Sequence, residues 1–523
     1  MENNILDSRI CKGKGKNKKI NECYLRKASF EDAFCLFSWK NEEETLKNSR
    51  NSNPISWEEH VNWLEASLRR TDRWIWMLEK NGEKLASLRF DLREKKEGEK
   101  AIEPEKSVEI SYIVAPQVRG KGYGQVLLAM AEEQAQILGM EQLYGQVLLH
   151  NHASRKLFQR MGYLEKMEEK VYTYRKAINT IFFRVDMNEK VATGHVMRCL
   201  SVADAAGEQG IRSIFITSDE KPVSMISGRG HETVILHSSW NEMEKELEEL
   251  KKVIFQLGIH KLLVDSYQVT WGYLEELSKL TQVYYLDDLD GFSYPVQNII
   301  CYANYYHTLS YGDKKEEKGY YLGMEYVPLR KVFQGRKEKV IREKVESILI
   351  LSGGSDPVNM IPRILRELID GRREEAIEEK LFICIICGSL YDDFEKLREE
   401  YGKQLLQNVQ VEFHKNVREV EVYMERADLA ISAGGTTLYE LAAMGVPTIT
   451  YSFADNQLKN VLQFSKEQLM DYGGDGRKLG VEKEIKRLCE IYKSNPQLRR
   501  ERSIRMQKLM DGKGAQRIAQ LLR

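Results

Sequence analysis

The sequence predicts an α/β chain of several domains, and three observations carry that expectation. In the run IVAPQVRGKGYG, ending at Gly124, glycines stand where an apolar strand opens into an apolar-periodic helix. From Asn179 onward, strand-like and helix-like segments alternate to the end of the chain, a pattern that predicts parallel sheets flanked by helices. At 523 residues the chain is too long for one ordinary domain, and a prior of roughly 150 residues each suggests about three.

In the front third, periodicity predicts strands at 22–27, 74–78, 85–93 and 108–114, with a helix beginning near Ser29. The glycine loop and its helix follow, then a strand at 143–149, a helix at 153–159 and a closing strand at 171–175. Backbone N–H groups reach a phosphate closely where glycine omits the Cβ, and a helix opening near Tyr123 adds the positive end of its dipole. A pyrophosphate is therefore expected around Arg119, Gly120, Lys121, Gly122, Tyr123 and Gly124. The loop fits neither the GxxxxGK[ST] frame nor the GxGxxG dinucleotide frame.

Composition excludes several classes. Lys plus Arg and Asp plus Glu both total 79, so nothing draws the whole chain to nucleic acid or anionic lipid. The KGKGKNKK run reads as part of a solvated, flexible leader over residues 1–20. No apolar run approaches the roughly 18 residues of a membrane span. Met1 is followed by polar residues with no apolar core, so the cytoplasm is the expected location. Cys384 and Cys387 form a CxxC inside LFICIIC, where a buried strand is the natural reading, and no metal is expected.

The front order resembles the GNAT acyl-CoA N-acetyltransferases over about residues 21–176, with NHASRKLFQRMGY (151–163) matching that family's second signature. The resemblance implies acetyl-CoA as co-substrate, the backbone at Val114 on the pantetheine arm, and a place for Asn151 in the same site. Phe158 stands where the family usually has a Tyr as general acid; Tyr163 and Tyr144 are alternatives, or ordinary packed tyrosines. Strand alternation puts Glu109 on one face with Ser111 and Ile113, either aimed at the acceptor amine or solvated. The stretch PISWEEHVNWL (54–64) resembles the amino-sugar branch, including the N-acetyltransferase of pseudaminic acid biosynthesis, which implies His60 in a sugar-nucleotide pocket; packing is the alternative.

In the rear, strands are expected at 211–217, 261–265, 283–286, 347–351, 381–387, 409–413, 429–432 and 448–450, after an initial IFFRVD strand. They divide around 329–343 into two Rossmann-like lobes facing a cleft, with domains at 21–177, 178–335 and 336–523. Two glycine turns lie at strand ends in the second lobe. LSGGSDP offers Gly353, Gly354 and Ser355. ISAGGTTLYE offers Gly434, Gly435, Thr436 and Thr437 to a diphosphate at a helix start, with Glu440 one turn on as an acceptor for two ribose hydroxyls. Together they resemble nucleotide-sugar enzymes of the glycosyltransferase B type, which implies UDP.

The segment RVDMNEKVATGHVMRCLSVADA (184–205) is close to the RxDxxxxxGxGHxxRC signature of the UDP-sugar hydrolases of pseudaminic acid biosynthesis, although Thr193 replaces a glycine and Met187-Asn188 depart from smaller residues. VDSYQ, SGGSDPVN, SAGGTTLYE and ADNQ recur in that family's order across about residues 179–470. The resemblance implies His195 as base, Gly194 and Arg198 beside substrate, Tyr267 near the attacking water, and Asn456 near the diphosphate or sugar. A His at a helix start is biased toward the neutral form that accepts a proton. Asp186 and Asp265 end strands beside it, either orienting His195 or bonding a loop. The implied substrates are UDP-amino sugars, acetylated by the front domain and hydrolysed by the rear; a glycosyltransferase and a non-catalytic UDP-sugar binder are the alternatives.

Overall fold

The computed structural model describes residues 11–12, 22–93, 104–188, 193–354, 356–374, 380–388, 391, 393–402 and 408–523. The expected leader lies outside these, apart from the backbone of Cys11–Lys12, which pairs with the next strand.

The front sheet has eight strands: β1 Cys11–Lys12, β2 Tyr24–Lys27, β3 Arg73–Lys80, β4 Glu83–Arg93, β5 Ser107–Val114, β6 Gln142–Leu148, β7 Leu164–Met167 and β8 Val171–Ala177. Their order is β1-β2-β3-β4-β5-β6-β8-β7, and β5 with β6 is its parallel pair in an otherwise antiparallel sheet. Helix starts are fixed locally. Ser56 and Glu59 exchange side-chain and backbone bonds at the start of Trp57–Arg69, and Asn151 caps His152–Arg160 by accepting from Ser154 N.

The rear half holds two all-parallel sheets. The first comprises β9 Thr180–Val185, β10 Arg212–Thr217, β11 Glu232–Ile235, β12 Lys261–Asp265, β13 Gln282–Leu286, β14 Asn298–Cys301 and β15 Tyr320–Leu322, in the order β11-β10-β9-β12-β13-β14-β15. The second comprises β16 Ser347–Leu351, β17 Leu381–Cys387, β18 Val409–Lys415, β19 Leu429–Ala433, β20 Thr448–Ser452 and β21 Asp471–Asp475, ordered β18-β17-β16-β19-β20-β21. Both orders reverse beside the first strand, as in doubly wound folds. The central strands read as continuous apolar runs because helices cover both faces; β9 is buried along its whole length. Cys384 and Cys387 are buried in β17, as the strand reading expects.

Short strands escaped the periodicity reading. β7, β11, β14, β15 and β21 span three to five residues, and β21, DYGGD, carries two glycines and two aspartates that disfavour strands. Pairing with a formed neighbour supplies what local preference lacks.

The three sheets are tightly joined. β8 ends at Ala177 and β9 begins at Thr180, so a two-residue link connects the front domain to the first lobe. Around it Ala177 N donates to Gly258 O at 2.8 Å, Gln142 Nε2 to Gln256 O at 2.7 Å, and Arg212 pairs with Glu141 at 2.9 Å. The last helix, Gly514–Leu522, crosses back onto the first-lobe helix Gly194–Gly207, and Lys261 Nζ donates to Leu521 O. Among the described residues no helix is long and apolar enough to cross a membrane.

Gly258 closes its helix at φ +70, and a Cβ there would sit 2.8 Å from the backbone nitrogens of Lys176 and Ala177. Gly258→Ala is expected to cost about 2 kcal/mol or more, through the left-handed backbone and the overlap together. A thermal unfolding midpoint equal to that of the wild type would show that the junction gives way freely.

Candidate functional site

The front site begins with a gap in the sheet. The register of β5 with β6 stops at Glu109–Tyr144, although β5 continues to Val114 and β6 to Leu148. The diverging ends turn main-chain N–H and C=O groups toward a wedge, which an extended chain bearing amides can fill by strand-like bonding. At its mouth Gly120 and Gly122 adopt φ +72 and +90, and Gly122 caps the helix Tyr123–Ile137. The first N–H groups of that helix have no intrahelical partner and face the loop with the positive end of the dipole. Gly124 packs against the next helix, where a Cβ would meet Leu157 Cδ2 at 2.9 Å.

Two chambers open on the wedge. One, about 600 Å³, is lined by Val114, Arg119, Gly120, Gly122, Tyr123, Gly124 and Asn151 among others. The other, about 680 Å³, includes Arg50, His60, Trp63, Arg89 and Glu109. They share Asn48, Ser49, Tyr112, Ile113, Asn151 and Ser154, so ligands held in each would meet at that shared wall. There Tyr112 OH donates to Ser154 Oγ at 2.9 Å, and burial pushes the Tyr112 phenol up to about 12. Sequence reasoning missed this pair, because nothing in alternation shows where the sheet splits.

The remaining expected residues of this site have the following surroundings. The Arg119 guanidinium lines the chamber but is already engaged: it donates to Glu44 Oε2 at 2.6 Å, Glu42 Oε2 at 2.7 Å, Thr45 Oγ1 at 2.8 Å and Val114 O at 3.3 Å. Lys121 is exposed and outside the chamber lining. Phe158 stacks on Tyr174 at 4.7 Å between ring centroids, buried in the core while also lining the acceptor-side chamber. The Tyr163 hydroxyl is buried, and Tyr144 lies under Arg93 at 3.7 Å; neither lines a chamber, in keeping with packed tyrosines. His60 walls the acceptor-side chamber among Phe37, Trp57 and Trp63, but its Nε2–H donates to Ala33 O at 2.9 Å, and burial lowers its pKa. Its polar edge thus serves the helix pair. Glu109 does point into that chamber, 3.1 Å from Arg50 Nη2.

The rear site lies where strand order reverses, at the carboxyl ends of β9 and β12. Helix Gly194–Gly207 starts there and brings His195 and Arg198, one turn apart, onto Asp265 at the end of β12. His195 Nδ1–H donates to Asp265 Oδ1 at 2.5 Å, and Arg198 Nε donates to Oδ2 at 2.6 Å. Arg198 Nη2 also lies 3.1 Å from Nδ1, two donors converging on one carboxylate. Burial alone would raise the Asp265 carboxyl, but the charge of Arg198, with the hydrogen bonds from Arg198 and His195, outweighs it and holds the group well below the usual range. A permanently ionised Asp265 keeps the proton on Nδ1, which leaves Nε2 as the basic atom of the ring. Tyr267 packs edge-on against His195 at 4.5 Å between ring centroids, and its OH donates to Asp288 Oδ2 at 3.0 Å. Arg198 Nη1 donates to Tyr302 OH at 2.8 Å.

Asp186 does not orient His195. It accepts from Ser218 N at 2.7 Å and Arg184 Nη1 at 2.6 Å, while the fully buried Arg184 grips Glu246 through two 2.7 Å bonds. This part of the motif is a buried ion-pair network that shapes the lobe.

A cavity of about 520 Å³ collects Gly194, His195, Arg198, Tyr267 and Asp288 from the first lobe and Gly434, Gly435, Thr436, Glu440 and Asn456 from the second. Gly434 is held against the helix Asp455–Lys466, where a Cβ would lie 2.6 Å from Val461 Cγ1. Asn304 N donates to Tyr439 OH at 3.2 Å, and Tyr439 OH to Asn460 Oδ1 at 2.9 Å, a bridge between the lobes beneath the cavity. Burial raises Glu440 to about 7 against the pull of Arg330, with Glu421 adding to the rise. Thr437, Gly353 and Gly354 are not part of the lining, and Ser355 falls outside the described residues. Asp288 was missed, although the carboxyl-end rule applied to the LDD at the end of β13 points to it.

Comparison with known proteins agrees with this division. Residues 23–164 match the acetyltransferase (GNAT) domain family, and residues 348–520 the glycosyltransferase family 28 C-terminal domain. The chain is 26% identical over 279 residues to an uncharacterized protein of Methanocaldococcus jannaschii, a match covering 50% of this chain and 54%, about half, of that protein's length. It is 23% identical over 336 residues to the spore coat polysaccharide biosynthesis protein SpsG of Bacillus subtilis, covering 63% of this chain and 93% of that one. Over 168 residues it is 32% identical to the UDP-N-acetylglucosamine–N-acetylmuramyl-(pentapeptide) pyrophosphoryl-undecaprenol N-acetylglucosamine transferase of Helicobacter acinonychis, covering 29% and 42% of the two chains. The crystal structure of Acinetobacter baumannii MurG superposes with a TM-score of 0.51 at 14% identity, over 66% of this chain and 98% of that one, which shows a common fold. The protein thus joins a GNAT acetyltransferase domain to two parallel-sheet lobes of glycosyltransferase B type.

Removing the shared acceptor has a predictable cost. Asp265→Ala strands the buried Arg198 charge and should lower unfolding free energy by about 3–5 kcal/mol in urea titrations. A change within about 0.5 kcal/mol, the range of ordinary surface substitutions, would mean the three groups are not coupled as described.

Proposed function

We propose that this chain is a bifunctional enzyme that N-acetylates the 4-amino group of UDP-4-amino-4,6-dideoxy-N-acetyl-β-L-altrosamine with acetyl-CoA, and then hydrolyses UDP-2,4-diacetamido-2,4,6-trideoxy-β-L-altropyranose to UDP and the free sugar. The observation that carries the second half is the His195–Asp265 pair, placed in one cavity with Gly434, Gly435 and Glu440.

In the front site acetyl-CoA supplies an activated acetyl group. The chain's own residues do the rest. Wedge amides of β5 and the N–H groups at Gly120–Gly124 suit a pantetheine arm and a pyrophosphate, Glu109 is placed to take a proton from the acceptor nitrogen, and the Tyr112–Ser154 hydroxyls are placed to donate toward the departing sulfur. The resemblance of the first helices to amino-sugar acetyltransferases supports the choice of acceptor.

In the rear site His195 Nε2 takes a proton from water as the water oxygen attacks the anomeric carbon. The bond from that carbon to the diphosphate breaks, and UDP leaves as a weak base that needs little protonation. Asp265 stabilises the imidazolium formed on the way. Gly434, Gly435 and Thr436 are placed to hold the diphosphate, Glu440 the ribose hydroxyls, and Asn456 the diphosphate or sugar. A second reading, transfer of the sugar to another acceptor, is favoured by the glycosyltransferase family 28 match and uses the same base.

Supplying the acetylated UDP-sugar with water as the sole acceptor separates the two. Hydrolysis releases UDP at full rate, and His195→Ala is expected to reduce it by about 10²–10⁴-fold while acetylation persists. UDP release that waits for a second sugar or lipid acceptor would establish transfer, and release unaffected in His195→Ala would remove the imidazole from the chemistry.

Glu440 adds a pH signature. Ribose hydroxyls donate to a carboxylate, so binding favours the ionised form of a group that sits near 7 without ligand. Affinity for a UDP-sugar, whose phosphates keep their charge here, should weaken toward tenfold per pH unit below about 7 and level off above it. Glu440→Gln should flatten that slope; a slope that survives the substitution assigns it elsewhere.

A further inference from the structure

The segment from Glu42 to Asn51, containing the helix Glu43–Lys47, forms a wall common to both front chambers: Glu44, Thr45, Asn48 and Ser49 line the cofactor side, and Asn48, Ser49, Arg50 and Asn51 the acceptor side. Four separate tethers hold it across the wedge. Arg119, from the glycine loop, donates to Glu42, Glu44 and Thr45. His150, just past β6, bonds Lys47 O through Nε2 at 3.0 Å. Arg50 reaches Glu109 on β5 and Gln146 on β6. Asn41 and Ile55 close its base through two 2.9 Å bonds, Asn41 Nδ2 to Ile55 O and Ile55 N to Asn41 Oδ1.

We propose that Arg119 is a positioning residue for the acceptor rather than a ligand of the pyrophosphate: it fastens this strap to the cofactor loop, so that docking of acetyl-CoA on the loop fixes the wall against which the acceptor amine lies. The inference rests on the acetyl-transfer reading and deepens it. Three of the guanidinium's nitrogens already donate, and two carboxylates more than cancel its charge. A phosphate approaching Arg119 meets Glu42 and Glu44 as like charges. The backbone cradle of Gly120, Gly122 and the first turn of the Tyr123–Ile137 helix needs no side-chain cation to hold an anion. Arg119 in turn holds the Glu42 carboxyl down to about 2, with burial opposing and the Thr45 N–H assisting. The salt link therefore persists across the working pH range.

The test uses the full-length enzyme, CoA binding by calorimetry, and steady-state acetylation with UDP-4-amino-4,6-dideoxy-N-acetyl-β-L-altrosamine as the varied acceptor. Arg119→Ala and the double variant Glu42→Gln/Glu44→Gln cut the tether from opposite ends. Both are expected to raise the acceptor KM about tenfold and to leave CoA affinity and the acetyl-CoA KM within twofold, and Arg119→Lys should restore part of the loss. A pyrophosphate ligand gives the reverse pattern: Arg119→Ala weakens CoA about tenfold, and freeing the arginine in the double variant tightens it. That pattern, or an acceptor KM unchanged in the double variant, overturns the proposal. The double variant keeps the test open should Arg119→Ala fold poorly. Wild-type enzyme that bound no CoA would defeat the acetyl-transfer reading itself, a failure distinct from either pattern.

Discussion

The larger half of the molecule turns on one buried carboxylate. Asp265 ends a parallel strand at the point where strand order reverses, and it receives Arg198 on one side and His195 on the other. An ionised carboxylate in so dry a place stands only because a fixed cation is bonded to it, and the cation is tolerable only because of the carboxylate. Their mutual dependence has a chemical by-product. A carboxylate that cannot protonate keeps one ring nitrogen of His195 a donor and the other an acceptor. The ring nitrogen left free to accept a proton is thus determined by strand topology, a helix start and a charge balance, before any ligand arrives.

The front domain works by a different constraint, the failure of two parallel strands to stay paired beyond Glu109 and Tyr144. That split turns main-chain groups away from strand pairing and opens two chambers meeting at Tyr112 and Ser154. A strap crosses the split, so cofactor and acceptor share a wall. The two-residue link at Ile178–Asn179 and the bonds around Gly258 then seat this unit on the first lobe without a long linker. The last helix, returning to the helix that carries His195, ties the chain's end into the same body.

Much of this was legible in the residues. Glycine loops at strand ends and apolar runs of central-strand length placed the sheets and the lobes, because each is a local requirement of backbone or burial, whereas His195 was singled out by the resemblance of GHVMRC to a family signature. What stayed hidden depends on distant partners. Arg119 reads as a phosphate ligand from its loop, and its partner Glu44 lies 75 positions upstream. Asp186 and Asp265 look equivalent in sequence, yet Arg184 and Ser218 claim the first and His195 the second. Phe158 announced a missing hydroxyl, but the Tyr112–Ser154 hydroxyl pair at the wall between the chambers is found only by where the sheet splits. Strands such as DYGGD form because a neighbour is already in place, which no local preference reports.

The tautomer of His195 is the quantity on which the rear chemistry depends most directly. Nitrogen NMR of histidine-labelled enzyme, with the His195 signals assigned by their loss in His195→Gln, reads it for the uncharged ring at alkaline pH without substrate. A protonated Nδ1 and an unprotonated Nε2 are expected, both shifting on Asp265→Asn. A proton on Nε2 with Nδ1 bare would contradict the bond to Asp265 and remove the base that the proposed reaction needs.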